Sequence, residues 1–318
     1  MAAIRTHKGG DSLRCGMELL WRLGYLLALL AVGVGARAVG LLTERRTDWL
    51  TAAAFYVALP ALIFSSTYDQ NLGELVSAGL VAGVVGVFAV TVAVAWLVHR
   101  REPAQGRRSV AVVQSYHTNF GFLGVPLVAL TFGDAATAIA SVILGIGALT
   151  QVPLTVVSLV AVNDADAAIA GELRELASNP VLIALVAGLA ASTVEFTLPT
   201  AASTGLGLAS ELALPLALLG VGASLRLNLG ELDTAATGWV VAMKVAVMPA
   251  VAWALFSLLS VTGTAFAAGV LMFGMPTAVS TYVYANELGG DARFASVNVF
   301  ATTLASLATI AVIVTLVG

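Results

Sequence analysis

Two stretches set helix breakers beside polar groups inside long apolar segments. The first reads His117-Thr118-Asn119, followed by Gly121, Gly124 and Pro126; the second is Gly274-Met275-Pro276-Thr277 with Ser280 and Thr281 behind it. Pro126 has no N–H, so in a helix the Phe122 carbonyl loses its donor, and the glycines add backbone freedom. An unpaired backbone group in hydrocarbon costs several kcal/mol, so such a break survives only where protein or a polar cavity covers it. The spacing predicts two half-helices, one starting at Leu127 and one at Thr277. Their free N–H groups and dipoles attract anions, each by ~0.3–1 kcal/mol when exposed and up to ~2 kcal/mol when partly buried. Two opposed ends favour a solute that carries a carboxylate. The candidate binding set is Asn119, Gly121, Gly124, Pro126, Gly274, Pro276, Thr277, Ser280 and Thr281.

Three further residues are candidates for coupling a second ion or proton: His117, Lys244 and Glu287. His117 is a mid-segment group that titrates near neutrality. It faces roughly 100° away from Asn119 on a helix, which favours a packed, hydrogen-bonded imidazole. Lys244 is a charge inside an apolar segment and hence a functional suspect. It lies about two turns from a segment end, so snorkelling is an equal reading. Asn119 could merely bond an orphan carbonyl, and Ser280 and Thr281 could serve as glue between helices. No acidic residue falls at mid-depth: Glu287 and Asp291 sit at one end, and Asp69, Glu74, Asp134, Glu195 and Glu211 sit at other ends or in loops. A bare cation would ask for carboxylates or rings of carbonyls. Their absence supports a neutral or anionic solute.

The elements that must position these groups follow from composition. The chain is 59% hydrophobic and 10% charged, against about 25% charged in soluble domains, and its mean hydropathy is +0.96. This is the composition of an all-α polytopic protein of the cell membrane. A span needs roughly 20 apolar residues, and ten candidates emerge: 22–42, 49–67, 76–98, 109–132, 136–160, 180–198, 207–225, 237–259, 264–286 and 294–317. Residues 1–18 form a tail, 19–162 a first group of five spans, 163–178 a polar linker and 179–318 a second group of five. Val57-Ala58-Leu59-Pro60 in span two is matched by Leu212-Ala213-Leu214-Pro215 in span seven, and Pro126 by Pro276. Five is odd, so the second copy enters with opposite polarity, and the halves form two inverted five-helix repeats in which broken helices 4 and 9 cross.

Arginines place the faces. Loops after odd-numbered spans hold Arg37, Arg45, Arg46, Arg100, Arg101, Arg107, Arg108, Arg174, Arg226 and Arg293, which puts those loops in the cytoplasm and both termini outside. Arg5, Lys8, Arg14 and Arg22 before span one pull the other way. That basic start, with Ala36-Arg37-Ala38 after an apolar run, also admits a signal-peptide reading, although the run exceeds the usual ~7–15 residues. Gly33, Gly35, Gly79, Gly83 and Gly86 read as close-packing faces. The lone Cys15 excludes an intrachain disulfide and a Cys-rich metal site, and no cofactor or metal is expected. No basic stripe with interleaved aromatics points to nucleic acid.

These residues resemble the auxin efflux carrier family of membrane transporters, in its compact prokaryotic form. The string Asn119-x-x-x-x-Gly124-Val125-Pro126-Leu127 is similar to the family's Asn…Gly-Ile/Val-Pro-Leu motif, and Pro276-x(8)-Ala285-x-Glu287 to its Pro…Ala-x-Glu motif. Val57–Pro60 and Lys244 with Pro249 also fit, and the likeness runs from about residue 19 to 318. The resemblance implies a scaffold of spans one, two, six and seven, and a transport domain built on the crossing of spans four and nine. It further implies alternating access and cargoes such as auxin, malonate or malate. The long cytoplasmic loop of plant members is missing, and Thr277 stands where they have Gln, so plant auxin selectivity does not carry over.

The expected function is secondary transport of a small organic anion, with the lipid bilayer as surroundings and a homodimer left open. A sodium- or proton-coupled symporter of the bile-acid type is the alternative, and a non-transporting membrane sensor is a rival of another class. An enzyme is not expected: paired midspan aspartates, His-Glu-x-x-His and Gly-x-Ser-x-Gly are all absent.

Overall fold

The computed structural model describes residues 8–165, 169–194, 197–225 and 234–317; the start of the expected tail, part of the linker, Glu195 and Arg226 lie outside them. The described residues are all-helical but for one isolated bridge. In chain order the helices are α1 (Lys8–Ala38), α2 (Glu44–Thr67), α3 (Ala78–His99), α4a (Gln105–Tyr116) with α4b (Phe120–Phe132), and α5 (Asp134–Asn163). After a helix at Ile169–Ala177 come α6 (Pro180–Thr193), α7 (Thr200–Ser224), α8 (Thr234–Leu258), α9a (Gly263–Phe273) with α9b (Ser280–Glu287), and α10 (Ala292–Val317). Among the described residues six helices are long and apolar enough to cross a membrane: α2, α3, α5, α7, α8 and α10. Gly24–Ala38, α4b, α6 and α9a are shorter apolar helices.

Three prolines are absorbed without breaking their helices. Each follows a turn in which an amide reaches five residues back instead of four: Leu59 N–H to the Ala54 carbonyl, Val125 to Phe120 and Met248 to Met243. Pro60, Pro126 and Pro249 come one residue later. The wider turn takes up the residue that cannot donate, which in a regular helix would clash with the preceding turn. The Val245 carbonyl, orphaned by Pro249, accepts the Thr309 hydroxyl of α10 at 2.9 Å.

This corrects the expected position of the first break. Residues 121–126 are continuous helix, and the interruption falls before them, at 117–119. In the second segment the chain leaves the helix at Gly274 and resumes at Ser280, not at Thr277.

The helices sort into two groups. α1 packs along α7, and α2 packs on α6 and α7; α3, α4a, α5, α8, α9a and α10 gather around the two breaks. Glycine lets α1 and α7 touch. A Cβ on Gly33 would lie 2.5 Å from the Leu219 carbonyl oxygen, and one on Gly222 would collide with the Leu30 carbonyl. Gly79 and Gly83 likewise admit the Leu259 carbonyl and the Phe256 ring, and Gly86 sits against Leu255. Gly35 differs from expectation: nothing lies within 4 Å of its Cβ position, so it is no packing contact. Gly222→Val should therefore force the pair apart and lower stability by about 1–3 kcal/mol. Gly35→Val should leave the melting temperature of purified protein within a degree or two of wild type, and equal losses in both variants would sink the close-packing account.

Candidate functional site

The two interruptions meet. Thr118 and Thr277 pair as an antiparallel bridge, with Asn119 N–H donating to the Pro276 carbonyl at 2.9 Å and Ala278 N–H to the His117 carbonyl at 3.3 Å. The Thr277 hydroxyl donates to the same His117 carbonyl at 3.0 Å. From the other side Gln151 of α5 clamps Thr118: its Oε1 accepts the Thr118 N–H at 2.9 Å and its Nε2 donates to the Thr118 carbonyl at 3.1 Å. Backbone groups that neither half-helix can pair are thus satisfied by a two-residue ribbon and an amide side chain, as hydrocarbon surroundings demand.

Each ribbon strand feeds a helix start. The Asn119 side chain caps α4b by accepting the Phe122 N–H at 3.2 Å, and the Asn119 carbonyl takes the Gly124 N–H at 3.0 Å. Gly124 is needed for space, since a Cβ there would lie 2.7 Å from Met272 Sδ on α9a. Gly274 is needed for the same reason against Ile313 of α10, at 2.5 Å. Gly121 faces Leu144 at an ordinary 3.8 Å and lies off the junction. Pro276 contributes its carbonyl to Asn119, while Pro126 sits inside α4b, past its first turn.

Lys244 does not snorkel. Its side chain is fully buried, and Nζ donates to Thr118 Oγ1 at 2.6 Å and approaches Met248 Sδ at 2.8 Å. The wide turn Met243–Val247 carries this lysine. Among the described residues the buried polar side chains include no carboxylate. The lysine amine is thus bound to the first strand of the ribbon, and no buried carboxylate stands beside it among the described residues.

The remaining expected residues lie around this centre. His117 is buried, its Nδ1 paired with Thr155 Oγ1 at 2.8 Å and its ring 6.1 Å from that of Tyr284. Thr281 is committed on both sides, donating to the Ala278 carbonyl and accepting from Gln114 Nε2 at 2.9 Å. Ser280 is exposed at the first position of α9b, and Glu287 is exposed at its far end, so neither joins the junction. Among the described residues no three His, Cys, Asp or Glu side chains come together as metal ligands.

Three amides escaped the reading of the sequence: Gln151, and the pair Gln114 and Asn298. Gln114 Nε2 also donates to the Ala295 carbonyl at 2.9 Å, and its Oε1 accepts from Asn298 Nδ2 at 2.9 Å, tying α4a to α10. The signal available was an uncharged amide in an otherwise apolar span, which must find a partner. A small cavity of about 30 Å³ lies against the start of α9b, lined by Ser224 and Leu225 of α7, Val279, Tyr282, and Ser296 and Val299 of α10. It separates the two helix groups next to one of the N-termini.

A family model described as "Membrane transport protein" matches residues 23–172 and again 168–314, so each half is recognised by itself. The chain is 27% identical over 295 residues to a protein of Rhizobium meliloti (strain 1021) named "Putative malonate transporter", covering 86% of this chain and 89% of that protein. It is also 27% identical over 286 residues to an "Uncharacterized transporter" of Methanothermobacter thermautotrophicus, covering 89% and 93% respectively.

Proposed function

The chain belongs to the auxin efflux carrier family of membrane transporters, and from that premise we propose that it carries a small organic anion by alternating access. The observation that carries this reading is Lys244, buried with no carboxylate partner among the described residues and bonded to the ribbon from which both half-helices start. A carboxylate bound there gains the N–H groups of α4b and α9b and a charge-assisted bond from Nζ, which is roughly twice as strong as a neutral one. Asn119, Gly124, Pro276 and Thr277 shape the ribbon that holds those ends in place. The doubled family match supports two five-helix repeats, 19–162 and 179–318, joined by the linker 163–178. The odd span number makes the second copy inverted, and the arginine-rich loops, taken as cytoplasmic, leave both termini outside. The cavity between α7 and α9b is then the solute's path from one face, and motion of the group around the breaks against α1, α2, α6 and α7 opens the other.

The test is uptake into proteoliposomes, with malonate as the first solute because a relative carries that name. Longer dicarboxylates, a neutral diester and a sodium gradient are the comparison arms. Saturable malonate uptake inhibited by other carboxylates and not by the diester is expected; no flux of any carboxylate would overturn the reading. Asn119→Asp sharpens it. Aspartate caps a helix as well as asparagine does, so α4b survives, but its charge takes the anion's place. Loss of about 2 kcal/mol, roughly thirtyfold in uptake, is expected from cancelling one half-helix end.

A further inference from the structure

A second cleft, of about 250 Å³, opens between the end of α3, the start of α4a and the first turns of α8 and α10. Its lining divides into two chemistries. Arg101 and Arg107 supply guanidinium groups; Val98, Ala236, Trp239 and Phe294 supply an apolar wall. Glu102 and His99 also line it, and His99 Nε2 is paired with Ser115 Oγ at 3.0 Å. Arg107 is held in place, its Nε 3.7 Å from Asp291 Oδ2 and its guanidinium 5.2 Å above the Phe294 ring. Residues 99–108, from the end of α3 to the first turn of α4a, carry four Arg and one Glu.

Two tryptophans mark the depth of this cleft. Trp239, on its wall, and Trp96, in the last turn of α3, are 59% and 46% exposed. Exposed tryptophan on membrane helices settles at the headgroup level. The cleft therefore straddles the boundary, with arginines on the water side and aliphatic and aromatic surface on the lipid side. A soluble anion would use only the first half. An amphiphile with a negative head uses both, and arginine forks match phosphate oxygens in pairs. This is also the arginine-rich end of the bundle, which the charge distribution assigns to the cytoplasm, where anionic lipids concentrate.

We propose that this cleft binds the phosphate headgroup of an anionic phospholipid, with Arg101 and Arg107 on the phosphate and the glycerol-acyl portion along Val98, Ala236 and Trp239. The proposal is independent of the solute site, since none of its residues touches the junction at Thr118 and Thr277. It is tested by thermal unfolding of the purified full chain in detergent, titrated with phosphatidylglycerol, with phosphatidylcholine or with inorganic phosphate. Phosphatidylglycerol should raise the melting temperature by several degrees, with little effect of phosphatidylcholine or phosphate, since a ligand of the folded state alone stabilises it. Arg101→Gln should weaken that shift, and Arg101→Gln with Arg107→Gln should remove it. Because Arg107 also braces Phe294 and Asp291, a second variant keeps every charge: Ala236→Phe fills the apolar wall and should abolish the lipid effect alone. An equal shift from phosphatidylcholine, a shift reproduced by inorganic phosphate, or a lipid effect untouched in Ala236→Phe would each overturn the assignment.

Discussion

Replacing Lys244 with methionine is expected to cut carboxylate uptake by about two orders of magnitude or more while leaving the protein as stable as before, or more stable. The two signs come from one cause. The lysine is fully buried against Thr118 Oγ1 and Met248 Sδ, with no buried carboxylate among the described residues. Taking an ionic group out of water is expensive, and exchanging buried ionic groups for apolar ones of similar volume is often neutral or stabilising by about 1–4 kcal/mol. Thr118 keeps an acceptor after the exchange, since its hydroxyl donates to the Tyr116 carbonyl at 3.0 Å. The bound anion has no such reserve. Without Nζ it sits buried with no counter-charge, a loss of about 3–5 kcal/mol. Lys244→Arg should not rescue, because the planar guanidinium does not fit a pocket closed around a single ammonium. Uptake and melting temperature are measured on the same preparations. Normal uptake in Lys244→Met would remove the counter-charge role, and a fall in melting temperature parallel to the fall in uptake would make the lysine a structural peg.

The helical segments were legible because their signal is local: runs of apolar residues bounded by arginines and by polar turns, long enough to span. The junction was legible in outline and misplaced in detail. A proline-centred reading puts the first break at Gly121–Pro126, yet that stretch is helix, because a wide turn before Pro126 reroutes the Val125 amide to the Phe120 carbonyl. Ala54–Ala58 before Pro60 and Met243–Val247 before Pro249 do the same. The chain breaks instead at 117–119, which holds neither glycine nor proline. What opens it is long-range: the Pro276 carbonyl, 157 residues beyond Asn119, and the Gln151 side chain, 33 residues beyond Thr118. Local propensity carries no trace of such partners. The Ala-Leu-Pro strings of the two halves show the same limit. Pro60 follows a wide turn, whereas Pro215 follows a kink at Leu212 between two helical pieces. Lys244 stood equally between snorkelling and function in sequence; the direction of its side chain depends on α4a and α8 packing together, which only the fold reveals.

Gln151→Met should be among the most destabilising single changes in the protein, although methionine fills nearly the same volume and favours the helix more. Gln151 acts as the neighbouring strand that a membrane helix cannot supply, donating to and accepting from one residue, Thr118, at 3.1 and 2.9 Å. Removing it leaves one buried N–H and one buried carbonyl of Thr118 without this partner. At ~1–3 kcal/mol for each orphaned group, the total is roughly 2–6 kcal/mol. The loss should be local before it is global. Amide exchange at 117–119 should quicken, with smaller changes in α1, which packs chiefly on α7. Thr155→Val is the control: it removes the hydroxyl paired with the His117 ring and touches no backbone group of the ribbon, so it should cost about 1 kcal/mol. If Gln151→Met melts like wild type and keeps its exchange protection, the bridge between Thr118 and Thr277 holds the break open alone. The two half-helix starts would then be positioned from one side only, and the anion site would be correspondingly less rigid than the fold suggests.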